Sequence, residues 1–132
     1  MNIFEEYLKK ITELINKNQE SLGLSNLNNF KGITVEAPPS EFNFDLSCNA
    51  CLVLGKNNKI NPKELANSIK ELIQKNLKDF DKIQIAGPGF LNLKLAKESL
   101  ILNINKILEN RERFGKKISN NNYNIEFVSA NP

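Results

Sequence analysis

The fold of this 132-residue chain turns on Lys82–Leu95, KIQIAGPGFLNLKL. Two alternating apolar runs, Ile83/Ile85 and Leu91/Leu93/Leu95, flank Gly87-Pro88-Gly89, which is the pattern of a β-hairpin. Strand side chains alternate between faces, so the three leucines share one face and Phe90, Asn92 and Lys94 share the other. With the leucines buried, the outer face carries a ring, a carboxamide and an ammonium in a row, and parity adds Gln84 from the first strand. The set suits an unstacked nucleotide, because rings stack on bases, amides pair with base edges and lysine meets phosphate. On this reading the ring and the carboxamide both stand in solvent. The plainer reading is an aromatic packed under a neighbouring element and a lysine that is merely hydrated.

The glycine-rich turn is no phosphate-cradling loop, since such loops lead into a helix and this one leads into a second strand. Its glycines serve positive φ and the close approach of another segment.

Working outward, Ile3–Lys17 repeats apolar residues at helical spacing (Ile3/Phe4, Tyr7/Leu8, Ile11, Leu14/Ile15), with acids early and lysines late. Ser21–Lys31 is a polar loop whose Leu22, Leu24, Leu27 and Phe30 are expected against the core. Ile33–Ala37 reads as a short strand ended by Pro38-Pro39. Asp45 then reads as the N-cap of a helix through Leu46, Ala50, Val53 and Leu54, ended by Gly55. Asn61-Pro62-Lys63-Glu64 opens a further helix, with Leu65, Ile69, Leu72/Ile73 and Leu77 on its apolar face. After the hairpin, another helix is expected to bury Leu100/Ile101, Ile104 and Ile107/Leu108 as its stripe, closing in the basic Arg111–Lys117 segment around Gly115. Ser119–Asn122 is a polar linker and Tyr123–Ser129 a last strand. The chain ends one step later, on Asn131-Pro132, and is expected to be a piece of a longer protein. Irregular order with a central hairpin predicts an α+β fold: a small, mainly antiparallel β-sheet with amphipathic helices packed on one face.

Composition narrows the chemistry. The chain has 40% apolar and 25% charged residues, as globular domains do, and a net charge of +3 that tolerates an anionic partner without requiring one. It contains no histidine, which removes the commonest general base and zinc ligand together. Cys48-Asn49-Ala50-Cys51 has the spacing of a metal or redox pair, yet offers two zinc ligands where four are needed, and reads as core. Arg111, Arg113, Lys116 and Lys117 read as a hydrated helix end, with phosphate contact the lesser alternative. No complete catalytic set is present. The absence of a signal peptide or membrane-length apolar run predicts a cytoplasmic protein with reduced thiols.

Taken together, Ile85–Leu95 (IAGPGFLNLKL) and Ile125–Pro132 (IEFVSANP) resemble the arginyl-tRNA synthetases, and Phe44–Ala66 is similar to the segment that precedes the hairpin there. Two positions depart from the pattern: Phe44 stands where that family usually has glycine, and Cys48 where threonine is common. The chain stops short of the family's His-x-Gly-His catalytic signature.

The resemblance implies a tRNA-binding N-terminal additional domain over residues 1–118. Residues 119–132 would be the linker and first strand of the catalytic domain. It implies that Phe90 and Asn92 read a D-loop base, usually adenosine, with Gln84 beside them and Lys94 on a phosphate. It implies that Glu126 faces the guanidinium of arginine while Ser129 and Asn131 hydrogen-bond the amino acid. The full-length enzyme would be an aminoacyl-tRNA synthetase, ligating arginine to tRNA(Arg) in translation with ATP and magnesium as substrate. It is expected to be a monomer without a membrane partner. This segment alone would lack catalysis, metal and cofactor. The rival readings are a free-standing RNA-binding module and a protein-interaction domain that docks on Phe90.

Overall fold

Alternating leucines and a glycine-rich turn do build the hairpin, and the rest of the sheet is added to one side of it. The computed structural model describes residues 2–24, 30–39 and 43–115, with the side chains of the last helix only as far as Leu108. These residues form α1 (Ile3–Lys17), β1 (Val35–Glu36), β2 (Leu46–Cys48), α2 (Ala50–Asn58), α3 (Pro62–Asn76), β3 (Phe80–Ala86), β4 (Phe90–Leu95) and α4 (Lys97–Gly115). The sheet order is β1-β2-β4-β3 with every pairing antiparallel, so β4 is an interior strand between β2 and β3.

The inner face carries Val35, Leu46, Cys48, Leu91 and Leu93, which share one apolar core with α1, α2 and α3. α1 contributes Ile3, Tyr7, Ile11 and Ile15, one side of its surface and all fully buried. α3 begins as its sequence dictates, with the Asn61 side chain accepting the Lys63 N–H at 2.9 Å and proline in the first turn. α4 packs against α1 through buried Ile107, and Lys106 Nζ reaches Glu6 Oε1 at 2.9 Å. Ile101, expected in the buried stripe, instead points to solvent with Leu102, because α4 meets α1 on the side of Ile107. The fold is the small α+β domain expected, with helices over one face of an antiparallel sheet.

Two further local expectations are corrected. Asp45 caps no helix. Its N–H donates to the Leu93 carbonyl at 3.0 Å and its Oδ2 accepts the Leu95 N–H at 2.9 Å, which pins the start of β2 to β4. Leu46–Cys48 is therefore a strand, and the helix starts at Ala50. Nor does Gly55 end that helix. It lies inside α2, where a Cβ would come within 2.8 Å of the Ile60 carbonyl oxygen, and Lys59 closes the helix at φ 55°.

One irregularity sets the faces of β3. Phe80 pairs with Leu95 and Lys82 with Lys94, so Asp81 is an extra, bulged residue. The bulge lets Phe80 turn inward, its ring centroid 5.2 Å from that of Tyr7, while Lys82 faces out. Leu27, the linker at Ser119–Asn122, the strand at Tyr123–Ser129 and the boundary at residue 118 lie outside the described residues.

Candidate functional site

The outer face of the sheet is built in cross-strand rows, because paired residues share a face. Ala86 and Phe90 form the row nearest the turn, Gln84 and Asn92 the next, and Lys82 and Lys94 the third. Ser47 of β2 pairs with Asn92 and Glu36 of β1 pairs with Ser47, so the middle row crosses all four strands. Phe90, Asn92, Gln84 and Lys94 are thus brought together as parity predicts.

Their exposure differs from the expectation at one residue. Phe90 is 39% exposed, but Asn92 is only 8% exposed and counts as buried. The cause is its strand: β4 is flanked on both sides, so Ser47 and Gln84 shield its backbone and side-chain stem. No hydrogen bond to a described residue engages the Asn92 carboxamide, and it is not among the sealed polar atoms that lack a partner. It therefore sits low on the sheet next to a more exposed ring, with its pairing groups uncommitted. Gln84 and Lys82 are exposed, Ser47 and Lys94 half-exposed.

The turn fixes the ring. Gly87 and Gly89 take φ values of 56° and 146°, which side chains other than glycine adopt at a cost. A Cβ on Gly89 would lie 2.9 Å from Pro62 Cβ, so the first turn of α3 buttresses the tip; one on Gly87 would lie 3.8 Å from Phe90 Cδ2. The ring lies over a bare backbone, and the backbone is held from behind.

Lys94 Nζ donates to Asn43 Oδ1 at 3.4 Å, and Lys82 Nζ stands 5.8 Å above the centre of the Phe44 ring. Reading the sequence missed Lys82 and Ser47 as members of this face. Lys82 shares the parity of Gln84 and was legible; Ser47 was hidden by the reading of β2 as helix. A cavity of about 130 Å³ lined by Gln74, Leu77, Lys78, Asp81 and Lys82 opens at the opposite end of β3 from Phe90.

The cysteines belong to the core. Both are buried and free, and burial pushes the Cys48 thiol up to about 11 and the Cys51 thiol to about 12. Such thiols make poor nucleophiles. No group of three metal-ligating side chains occurs among the described residues, and no described helix is long and apolar enough to cross a membrane. Glu126, Ser129, Asn131, Lys116 and Lys117 lie outside the described residues, as do the side chains of Arg111 and Arg113.

Comparison with known proteins agrees with this geometry. The family model of the arginyl tRNA synthetase N terminal domain matches residues 4–95. The chain is 40% identical over 136 residues to the arginine–tRNA ligase of Pelagibacter ubique, with all of this chain and 23% of that protein aligned. It is 38% identical over 140 residues to the ligase of Bartonella henselae, again over all of this chain and 23% of the relative. It spans less than a quarter of the length of these relatives. A crystal structure of arginyl-tRNA synthetase from Plasmodium falciparum shares the fold, with a TM-score of 0.52 at 20% identity over 74% of this chain and 17% of that one. By its sequence match and its architecture, the chain belongs to the arginyl-tRNA synthetase N-terminal domain family.

Proposed function

We propose that this chain is the tRNA-binding segment of an arginine–tRNA ligase and that its outer sheet face reads one splayed-out nucleotide of tRNA(Arg). The observation that carries the reading is the uncommitted Asn92 carboxamide beside the exposed Phe90 ring, on a face turned away from α1, α2 and α3. An asparagine side chain offers one donor and one acceptor side by side, as adenine does in complement, and a ring can stack on the base or wall its pocket. Gln84 is the cross-strand partner of Asn92 and Lys94 stands one row further, toward the backbone of the bound strand. In this reading the domain adds binding contacts that hold the acceptor end where the chemistry occurs.

The rest of the assignment rests on family membership. Residues 1–118 form the recognition domain, and residues 119–132 lead into the catalytic unit. There Glu126, Ser129 and Asn131 hold arginine, and ATP with magnesium is the co-substrate in the cytoplasm. Two measurements test the reading. The full-length protein, offered all twenty amino acids, is expected to charge tRNA(Arg) with arginine alone; charging with another amino acid overturns the assignment. Titration of labelled tRNA(Arg) into the 132-residue chain is expected to show binding that Phe90→Ala and Asn92→Ala weaken. Binding indifferent to both substitutions favours a protein-docking role for Phe90.

A further inference from the structure

Lys82 and Lys94 are direct cross-strand partners on the outer face, and like charges in that relation are unfavourable. Neither forms an ion pair with a described residue. The ion pairs among the described residues join Lys10 to Glu6 and Asp79 and Lys106 to Glu6, on the α1 side of the molecule. Of the described carboxylates around this face, Asp45 lies beside Lys94 in the register but its Oδ2 accepts the Leu95 N–H, Asp81 occupies the bulge, and Glu36 lies at the far edge of the Asn92 row. Each ammonium is held instead by a partner that leaves its charge in place, Lys82 over the Phe44 ring and Lys94 on Asn43 Oδ1. Two adjacent residues just before β2 thus engage both cations.

We propose that Lys82 and Lys94 form a two-point clamp for a single backbone phosphate of a nucleic acid. This rests on the nucleotide-reading function proposed for Phe90 and Asn92. A phosphate between the two ammonium groups removes their mutual repulsion and engages compact donors suited to it. Spacing supports the pairing of sites. Alternate residues of a strand stand about 7 Å apart, so β4 presents ring, carboxamide and ammonium at intervals comparable to the reach from a base to its own phosphate. Lys82 and Phe44, the latter as a positioning residue, extend the site beyond the strand that carries it.

The test is binding of fluorescent tRNA(Arg) to the 132-residue chain, measured by anisotropy across a series of salt concentrations. The K82Q/K94Q double variant is expected to show a log K against log [salt] slope shallower by about one. Its affinity should fall equally for tRNAs with either base at the D-loop position. Because the lysines share one phosphate, the double loss should be smaller than the sum of the single losses. The charge-retaining K82R/K94R variant should keep the slope, which separates charge from packing. K56Q/K75Q, which removes two exposed lysines from the helical side, should leave it unchanged. An unaltered slope in K82Q/K94Q, additive single losses, or an equal effect of K56Q/K75Q overturns the clamp while leaving base reading intact. Absence of tRNA binding, or indifference to Phe90→Ala and Asn92→Ala, overturns the underlying function and the clamp with it.

Discussion

Asn92 is an unusual residue to find in an interior strand: a buried carboxamide that no described neighbour engages. Groups that stabilise a fold are paired, and groups left unpaired in a sheltered site are available to a ligand. The two roles separate experimentally. Asn92→Ala is expected to leave the melting temperature nearly unchanged, since no internal hydrogen bond is lost. It should weaken tRNA binding by about 1–3 kcal/mol, the range for a bidentate base contact, with preference for the D-loop base lost. A fall in melting temperature with base preference intact would instead mark the carboxamide as structural. Phe90→Ala should cost binding a similar amount, about 1–3 kcal/mol for a stacked base, and should be tolerated by the fold because the ring is already 39% exposed. At this scale the sequence was informative about direction but not depth. Parity alone put Phe90, Asn92 and Lys94 on one face. The burial of Asn92 follows from β2 and β3 closing on both sides of β4, which no local pattern reveals.

Among the elements, the hairpin was legible because two signals agree, leucine alternation and a turn whose glycines need positive φ. Its rigidity was not, since it comes from Pro62, more than twenty residues earlier in the chain. Gly89→Ala forces a Cβ to 2.9 Å from Pro62 Cβ at a φ of 146°. Backbone strain of this kind costs about 1–3 kcal/mol, so urea denaturation should show a loss of that order, and weaker tRNA binding should accompany it as the Phe90 platform shifts. β2 escaped the reading for a physical reason. Three residues, Leu46-Ser47-Cys48, are too few to establish a period, and the apolar residues that follow extend them as readily into a helix. What makes them a strand is tertiary, namely the Asp45 bonds to β4 and the pairing with β1. Asn49 completes that frame. Its Oδ1 accepts the Thr34 N–H at 2.7 Å and its Nδ2 donates to the Gly32 carbonyl at 3.1 Å, so a residue at the N-cap position of α2 holds the β1 edge instead. Asn49→Ala should cost about 1–3 kcal/mol and speed amide exchange at Thr34 and Glu36 more than in β3 or β4. Uniform acceleration throughout the sheet would show that Asn49 supports the core and not the edge.

For the molecule as a whole, the division of labour is one covered face and one open face. The covered face holds titratable groups that function does not use. Burial raises the Cys48 thiol to about 11 and the Cys51 thiol to about 12 from an ordinary value of 9.0. Burial, with the Asp79 carboxylate that its hydroxyl donates to at 2.7 Å, likewise raises the Tyr7 phenol. In each case the neutral form is the one the native state favours. Below about pH 9 the thiols are protonated in both states and the native advantage is fully present. Above it the unfolded chain releases its thiol protons first and binds fewer protons than the native protein, so stability falls as pH rises through 11 and 12. Urea denaturation at stepped pH should therefore show a stability that declines above about pH 9. Cys51→Ala should reduce the steepness of that decline by up to one proton, about 1.4 kcal/mol per pH unit. In native protein at pH 8 both thiols should react with DTNB only as fast as the fold opens, and at the ordinary thiol rate in urea. Rapid labelling of the native chain, or an alkaline limb unaltered by Cys51→Ala, would place these cysteines nearer the surface than the sheet and α2 allow.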